Sequence, residues 1–138
     1  MQRMKNQTLL NVRNLAVRMA KKYVKKDTVI GLVGELGAGK TVFVKSFAGY
    51  LGIKKIKSPT FVVGNRYRIG KRQLYHFDFY RLSHLKQLQT LEIDEILKSN
   101  NRIVLIEWVD KFPHISKLCD VQIELSISGK NLRNVTIH

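Results

Sequence analysis

The sequence predicts an α/β fold in which a mixed parallel and antiparallel sheet is covered by helices on both faces. Three observations predict it. Two short runs, Thr28–Val33 and residues 102–108, are almost uniformly apolar, as strands buried on both faces of a parallel sheet must be. Residues 8–24 repeat apolar side chains at helical spacing. Two pairs of alternating segments are joined by Gly-containing turns and read as antiparallel hairpins. The 138 residues, 44% hydrophobic and 25% charged, suffice for one domain over 1–138. A chain of that size buries roughly 68–70% of its unfolded surface, which needs no disulfide or structural metal. Wholesale disorder, a collagen-like repeat and a disulfide scaffold are excluded.

The elements follow in order. In 8–24, Leu9, Val12, Leu15, Ala16, Met19, Ala20 and Tyr23 advance by three or four, which is one helix face, and Asn6 or Thr8 can cap its start. Thr28–Val33 is a buried strand. Residues 40–51 form a helix with Val42, Phe43, Phe47, Ala48 and Leu51 toward a core, ended by Gly52. Residues 61–69 and 72–80 make a hairpin turning at Gly70-Lys71. Residues 82–97 are polar and helix-prone, with a break near Thr90. Residues 102–108 form the second apolar strand, and Pro113 marks a loop. Residues 121–128 point Val121, Ile123, Leu125 and Ile127 inward, and Leu132–Ile137 returns after Ser128-Gly129-Lys130-Asn131.

Charge is the one abnormal bulk property. Lys and Arg number 25 against 10 Asp and Glu, giving +15. No acid stands between Glu35 and Asp78, while Lys40, Lys45, Lys54, Lys55, Lys57, Arg66, Arg68, Lys71 and Arg72 all do. Such a balance attracts polyanions, nucleic acid first, although no RNA-binding signature of fixed spacing accompanies it. The single cysteine, Cys119, excludes an internal disulfide and CxxC chemistry, and is expected in the core. No run reaches the ~20 apolar residues of a membrane helix, and the N-terminus lacks a signal-peptide stretch, so a cytoplasmic setting is expected.

Gly34-Glu35-Leu36-Gly37-Ala38-Gly39-Lys40-Thr41 fits G-x-x-x-x-G-K-[ST] without a mismatch, between an apolar strand and an amphipathic helix. Small residues at Gly37, Ala38 and Gly39 let backbone N–H groups curl around a phosphate, and the helix dipole aims at the same anion. Lys40 reaches the β- and γ-phosphates, and the Thr41 hydroxyl completes the shell of Mg²⁺. This sharpens the fold expectation to a P-loop NTPase-type three-layer fold. No Asn-Lys-x-Asp guanine-reading element occurs, which favours ATP over GTP.

Such a loop needs a carboxylate at a neighbouring strand end to hold Mg²⁺ or its waters. Ile103-Val104-Leu105-Ile106-Glu107 has the shape of a Walker-B strand. In Leu74-Tyr75-His76-Phe77-Asp78-Phe79-Tyr80, strand period puts His76, Asp78 and Tyr80 on one face. Asp78 is expected at the metal, and Glu107 at the metal or orienting the attacking water. Trp108 packs or walls the nucleotide. In Ser58-Pro59-Thr60-Phe61, Thr60 can sense the γ-phosphate as in switch proteins, or the segment is a rigid turn into the next strand.

Taken in order, the phosphate loop, Ser58-Pro59-Thr60-Phe61, His76-Phe77-Asp78-Phe79-Tyr80-Arg81 and Glu107-Trp108 resemble the TsaE family of tRNA threonylcarbamoyladenosine biosynthesis. The resemblance implies a slow Mg-ATP hydrolase acting with a TsaB–TsaD pair on tRNAs that read ANN codons. It implies that Lys40 and Thr41 hold phosphate and Mg²⁺, with Asp78 at the metal and Glu107 serving the hydrolytic water. Thr60 would lie in the switch, and His76, Tyr80 and Arg81 would shape the site or its coupling to the partner. Two departures stand out. The family's Leu-Gly-x-acid-Glu run is here Leu91-Glu92-Ile93-Asp94-Glu95, without its glycine, and Glu107-Trp108 is followed by Val109-Asp110 where Pro-Glu is common. Two rivals share the loop: a small-molecule kinase, and a nucleotide-gated RNA-binding module in which tRNA meets the basic face.

Overall fold

The computed structural model describes residues 1–57, 64–90 and 92–138. Its elements run β1 (Gln2–Gln7), α1 (Leu9–Tyr23), β2 (Thr28–Val33), α2 (Lys40–Tyr50), β3 (Gly64–Ile69) and β4 (Arg72–Asp78). They continue through α3 (Leu85–Thr90), α4 (Ile93–Lys98), β5 (Arg102–Glu107), a 3-10 turn at Val109–Lys111, α5 (Pro113–Ser116), β6 (Val121–Gly129) and β7 (Leu132–Ile137). The strands form one sheet in the order β1-β7-β6-β2-β5-β4-β3. Its centre is parallel, with β2 pairing β5 and β6, and β4 pairing β5. The margins are antiparallel: β3 on β4, β7 on β6 and β1 on β7.

The central strands explain their own apolarity. In β5, Ile103 and Leu105 enter a core beneath α1 and α2, whereas Val104 and Ile106 enter a second core with Phe77, Phe79, Ile93 and Ile115. A strand that alternates between two dry faces must be apolar at every step. Helix α1 buries Val12, Leu15, Ala16, Met19 and Ala20, as its period predicts. Of the two candidate caps Thr8 is used: its hydroxyl accepts from the Asn11 N–H, and the Asn11 side chain accepts from the Thr8 N–H. Helix α2 buries Phe43, Val44, Phe47 and Ala48. It ends as expected at Gly52, whose φ of +91° lets Gly52 N–H reach Gly49 O and Ile53 N–H reach Ala48 O.

Five details differ from the sequence reading. Ile127, expected to point inward, is exposed, because β6 runs past the core beyond Leu125. β1 was not predicted, because Gln2–Gln7 is polar, mostly exposed, and held by edge pairing to β7 rather than by a buried face. The strand expected over 72–80 pairs only to Asp78. Pro113 opens the short helix α5 rather than a loop, at the first-turn position where a missing N–H costs nothing. The run that lacks the family's glycine still makes a left-handed turn, with Glu92 at φ +53° capping α4. Residues 61–63 of the expected strand, and Leu91, lie outside the described residues. Cys119 packs against the second core, and burial pushes its thiol up to about 12, so it remains a protonated packing group. No helix among the described residues is long and apolar enough to cross a membrane.

Glu92 holds a left-handed backbone that costs a side-chain-bearing residue ~1–2 kcal/mol, and its side chain is exposed. Glycine removes that strain but loses about 0.5–1 kcal/mol to unfolded-chain entropy. Glu92→Gly is therefore expected to raise Tm by about 2–4 °C in a thermal melt, and a lower Tm would show that the side chain itself is needed.

Candidate functional site

Three parallel strands end at one edge of the sheet. β2 runs into the loop 34–39, β5 ends at Glu107 and β4 at Asp78, which is paired in register with Glu107. Ligands of open α/β sheets collect at such carboxyl ends. Here a cleft of about 230 Å³ is lined by Leu9, Leu36, Gly37, Gly39, Lys40, Thr41, Val42, Asp78, Tyr80, Glu107 and Trp108.

The loop has the backbone its glycines permit. Gly34 has φ +152°, and a Cβ there would lie 2.3 Å from the Leu125 carbonyl oxygen. Gly39 caps α2 at φ +116° and offers no side chain to the first-turn N–H groups, so those donors face the cleft uncapped. Lys40 is 5% exposed. Its ammonium donates to the Gly34 and Glu35 carbonyls and lies 4.2 Å from the Trp108 ring centre. Burial pulls its pKa below the usual lysine range, against the opposing pull of Glu107, Asp78, Asp110 and Glu35.

Glu107 is buried, with 2% exposure, and both its oxygens are engaged. Oε1 accepts from the Thr41 hydroxyl at 2.8 Å, and Oε2 lies 2.6 Å from His76 Nε2. His76 is equally buried, and its Nδ1 has no partner among the described residues. Asp78 accepts from the Tyr80 N–H at 3.0 Å. Burial raises its pKa, the Tyr80 N–H opposes that, and the Glu107 charge adds to it. Trp108 turns out of β5 at φ +59°, which lays its ring beside both Lys40 and Tyr80, the latter at 5.1 Å between ring centres.

The structure thus brings together Leu36, Gly37, Gly39, Lys40, Thr41, Asp78, Glu107 and Trp108. Two predicted site residues contribute backbone alone. The Glu35 carboxylate turns away to accept from the Ile127 N–H at 2.8 Å, and the Ala38 side chain is fully buried. Thr60 lies outside the described residues. Thr41, Asp78 and Glu107 form an oxygen donor set beside uncapped helix N–H groups. That set fits Mg²⁺, which takes one or two carboxylates and completes its shell with water and phosphate oxygens.

Sequence reasoning missed Arg133. This buried side chain, 5% exposed, reaches from β7 to the back of the loop. Nε donates to Ala38 O at 3.1 Å, Nη2 to Gly37 O at 3.4 Å and Nη1 to Asn131 O at 3.2 Å. A trans peptide sets its C=O and N–H on opposite sides. Holding the Ala38 carbonyl from behind therefore aims the Gly39 N–H away from Arg133. The sole signal in sequence was an arginine inside an otherwise apolar-alternating strand, 92 positions after Thr41.

Comparison with known proteins identifies the family and the fold. A family model described as Threonylcarbamoyl adenosine biosynthesis protein TsaE matches residues 6–135. A Rickettsia bellii protein named tRNA threonylcarbamoyladenosine biosynthesis protein TsaE is 32% identical, over 99% of this chain and 98% of its own length. Proteins of the same name from Aquifex aeolicus and Bacillus subtilis are 35% and 36% identical, each over 83% of this chain and 80% and 71% of theirs. The crystal structure of Bacillus subtilis YdiB superposes with a TM-score of 0.73 at 29% identity, over 99% of this chain and 83% of that one. The fold is that of a P-loop NTPase, and the chain belongs to the TsaE family.

Proposed function

We propose that residues 1–138 act as one P-loop ATPase domain that binds Mg-ATP and hydrolyses it slowly. It would do so in support of a TsaB–TsaD-type complex that makes threonylcarbamoyladenosine in tRNAs reading ANN codons. The observation that carries the reading is the convergence of Lys40, Thr41, Asp78 and Glu107, from one helix and two strand ends, on a single cleft at the α2 N-terminus. The partner and the tRNA rest on family membership and on the names its relatives carry.

Each residue has a task under this reading. Lys40 exchanges the Gly34 and Glu35 carbonyls for β- and γ-phosphate oxygens, and the free N–H groups of α2 hold the same anion. Arg133 keeps the loop peptides turned for that purpose before any ligand arrives. Thr41 and Asp78 would hold the metal ion, which when bound would supply positive charge against the charge that builds on the phosphate. Glu107 orients the attacking water and takes its proton, with its carboxylate set by His76. Trp108 and Leu36 wall the nucleotide. Glu107 is committed to Thr41 here, so it must release that hydroxyl before it can engage water. This exchange accounts for sluggish turnover, and for acceleration by a partner that rearranges the cleft. Phosphate release to water without an added acceptor separates this reading from a small-molecule kinase.

Calorimetry and phosphate-release assays on three variants test the roles. Lys40→Ala removes a charged hydrogen bond worth ~1.5–3 kcal/mol and should weaken Mg-ATP binding about 10- to 150-fold. Glu107→Gln should leave Mg-ATP affinity within about threefold while hydrolysis falls ~10²–10⁴-fold. Equal loss of binding in both would abolish this division of labour. Arg133→Gln should weaken Mg-ADP about tenfold and leave adenosine affinity unchanged, with Tm recorded to separate folding from binding. Unchanged Mg-ADP affinity would reduce Arg133 to packing. Addition of TsaB–TsaD should raise the ATPase rate tenfold or more, up to the ~10³–10⁵ seen when a partner completes a phosphate-loop site. No change would dismiss the coupling.

A further inference from the structure

The acid-free stretch of the sequence takes shape at one margin of the sheet. β3 is the outermost strand there, and its side chains alternate across it. Arg66 and Arg68 are exposed on one face, opposite Tyr75 and Gln73 of β4. On the other face, Asn65 Nδ2 donates to the Lys57 carbonyl at 2.9 Å, and the Tyr67 hydroxyl accepts from the Lys57 N–H at 2.9 Å. Ile53 and Ile56 pack on the first core and tie this segment down, leaving Lys54, Lys55 and Lys57 exposed. With Lys71 and Arg72 from the turn, Arg66, Arg68 and Gln73 line a depression of about 350 Å³.

These cations lack counter-charges. Arg72 pairs with Asp27 at 3.1 Å, but among the described residues no carboxylate pairs with Arg66, Arg68, Lys71 or Lys57. A cluster of like charges with lysine at its centre and rim is unlike the core of a protein–protein interface, which is depleted of charged residues and of Lys in particular, although not of Arg. Guanidinium forks match phosphate oxygens in pairs. Tyr75, half-buried beside Arg66, stacks parallel to Phe77 at 6.4 Å and 3° and adds a ring surface on the same face. Arginine interleaved with an aromatic ring is a chemistry that RNA strands accept through phosphate and base together. The patch also stands clear of the nucleotide cleft. Arg72 and Asp78 are opposite ends of β4, about 20 Å apart at strand rise.

We infer that the β3 edge, centred on Arg66, Arg68 and Lys71, is a phosphate-backbone-binding face for RNA, separate from the nucleotide cleft. The inference does not depend on ATP hydrolysis. Its test is fluorescence anisotropy of the full chain against an unmodified tRNA transcript, between about 50 and 200 mM salt. Two patch triples are compared, Arg66→Glu/Arg68→Glu/Lys71→Glu and the milder Arg66→Gln/Arg68→Gln/Lys71→Gln. The control triple Lys5→Glu/Lys117→Glu/Lys130→Glu changes exposed cations elsewhere. Both patch triples should lose tenfold or more in affinity, and the slope of log K on log salt should become shallower by about 2. Mg-ADP affinity should not change, and the control triple should keep most of its RNA binding. Equal loss in the control triple would reduce the effect to bulk charge. Absence of wild-type RNA binding would leave the cations guarding a sheet edge against pairing. Tighter binding of polyglutamate than of tRNA, with the same sensitivity to the patch triples, would assign the face to an acidic protein. Any of these three results overturns the inference.

Discussion

Everything at the cleft depends on the in-register parallel pairing of β2, β5 and β4. Because Leu32 stands beside Glu107 and Glu107 beside Asp78, the three strands stop at one level. A slip of one residue in β5 would turn Glu107 into the opposite core and bring Ile106 to the cleft. That slip is blocked by the strand's composition. Four consecutive apolar residues alternate between two dry cores, and the acid is accommodated only where the sheet ends and Thr41 and His76 meet it.

The cleft concentrates charge where water is scarce, and its groups show the strain. Lys40 is pulled toward neutrality by burial while four carboxylates favour its charge, and burial pushes Asp78 toward its neutral, protonated form as well. Buried ions are tolerable only when their hydrogen-bonding capacity is filled. Here it is filled provisionally, by loop carbonyls for Lys40 and by a hydroxyl and an imidazole for Glu107. Under the proposed function these are the contacts that a triphosphate and its metal ion would replace. Arg133 differs, since its three acceptors are all backbone carbonyls, two of the loop and one of the β6–β7 turn, and its own side chain does not line the cleft. The site therefore combines a fixed rear scaffold with a front whose contacts can turn over.

The two ends of β4 serve different chemistry. Its carboxyl end presents Asp78 to the cleft, and its amino end meets β3 in a rim of cations where, among the described residues, Arg72 alone has a carboxylate partner. The +15 charge is thus unevenly spread, and much of it in the middle of the chain collects on the edge farthest from β1. Separating a polyanion face from a phosphate cleft avoids competition between two negatively charged ligands for one set of donors.

The sequence by itself determined what rests on local pattern. The loop 34–41, the apolar strands, helices α1 and α2 with the Gly52 stop and a cap narrowed to Asn6 or Thr8, and the candidacy of Asp78, Glu107 and Trp108 follow from spacing and residue chemistry over a few positions. The tertiary structure decided what rests on pairing between distant segments. β1 exists because β7 offers an edge, not because Gln2–Gln7 prefers extended backbone. Glu92 takes a left-handed turn because α4 must dock its Ile93 and Leu97 into the second core. The partnership of Glu107 with Thr41 and His76, and the grip of Arg133 on Gly37 and Ala38, join residues from 31 to 96 positions apart. No periodicity encodes such contacts, since each depends on where the whole sheet brings two backbones together.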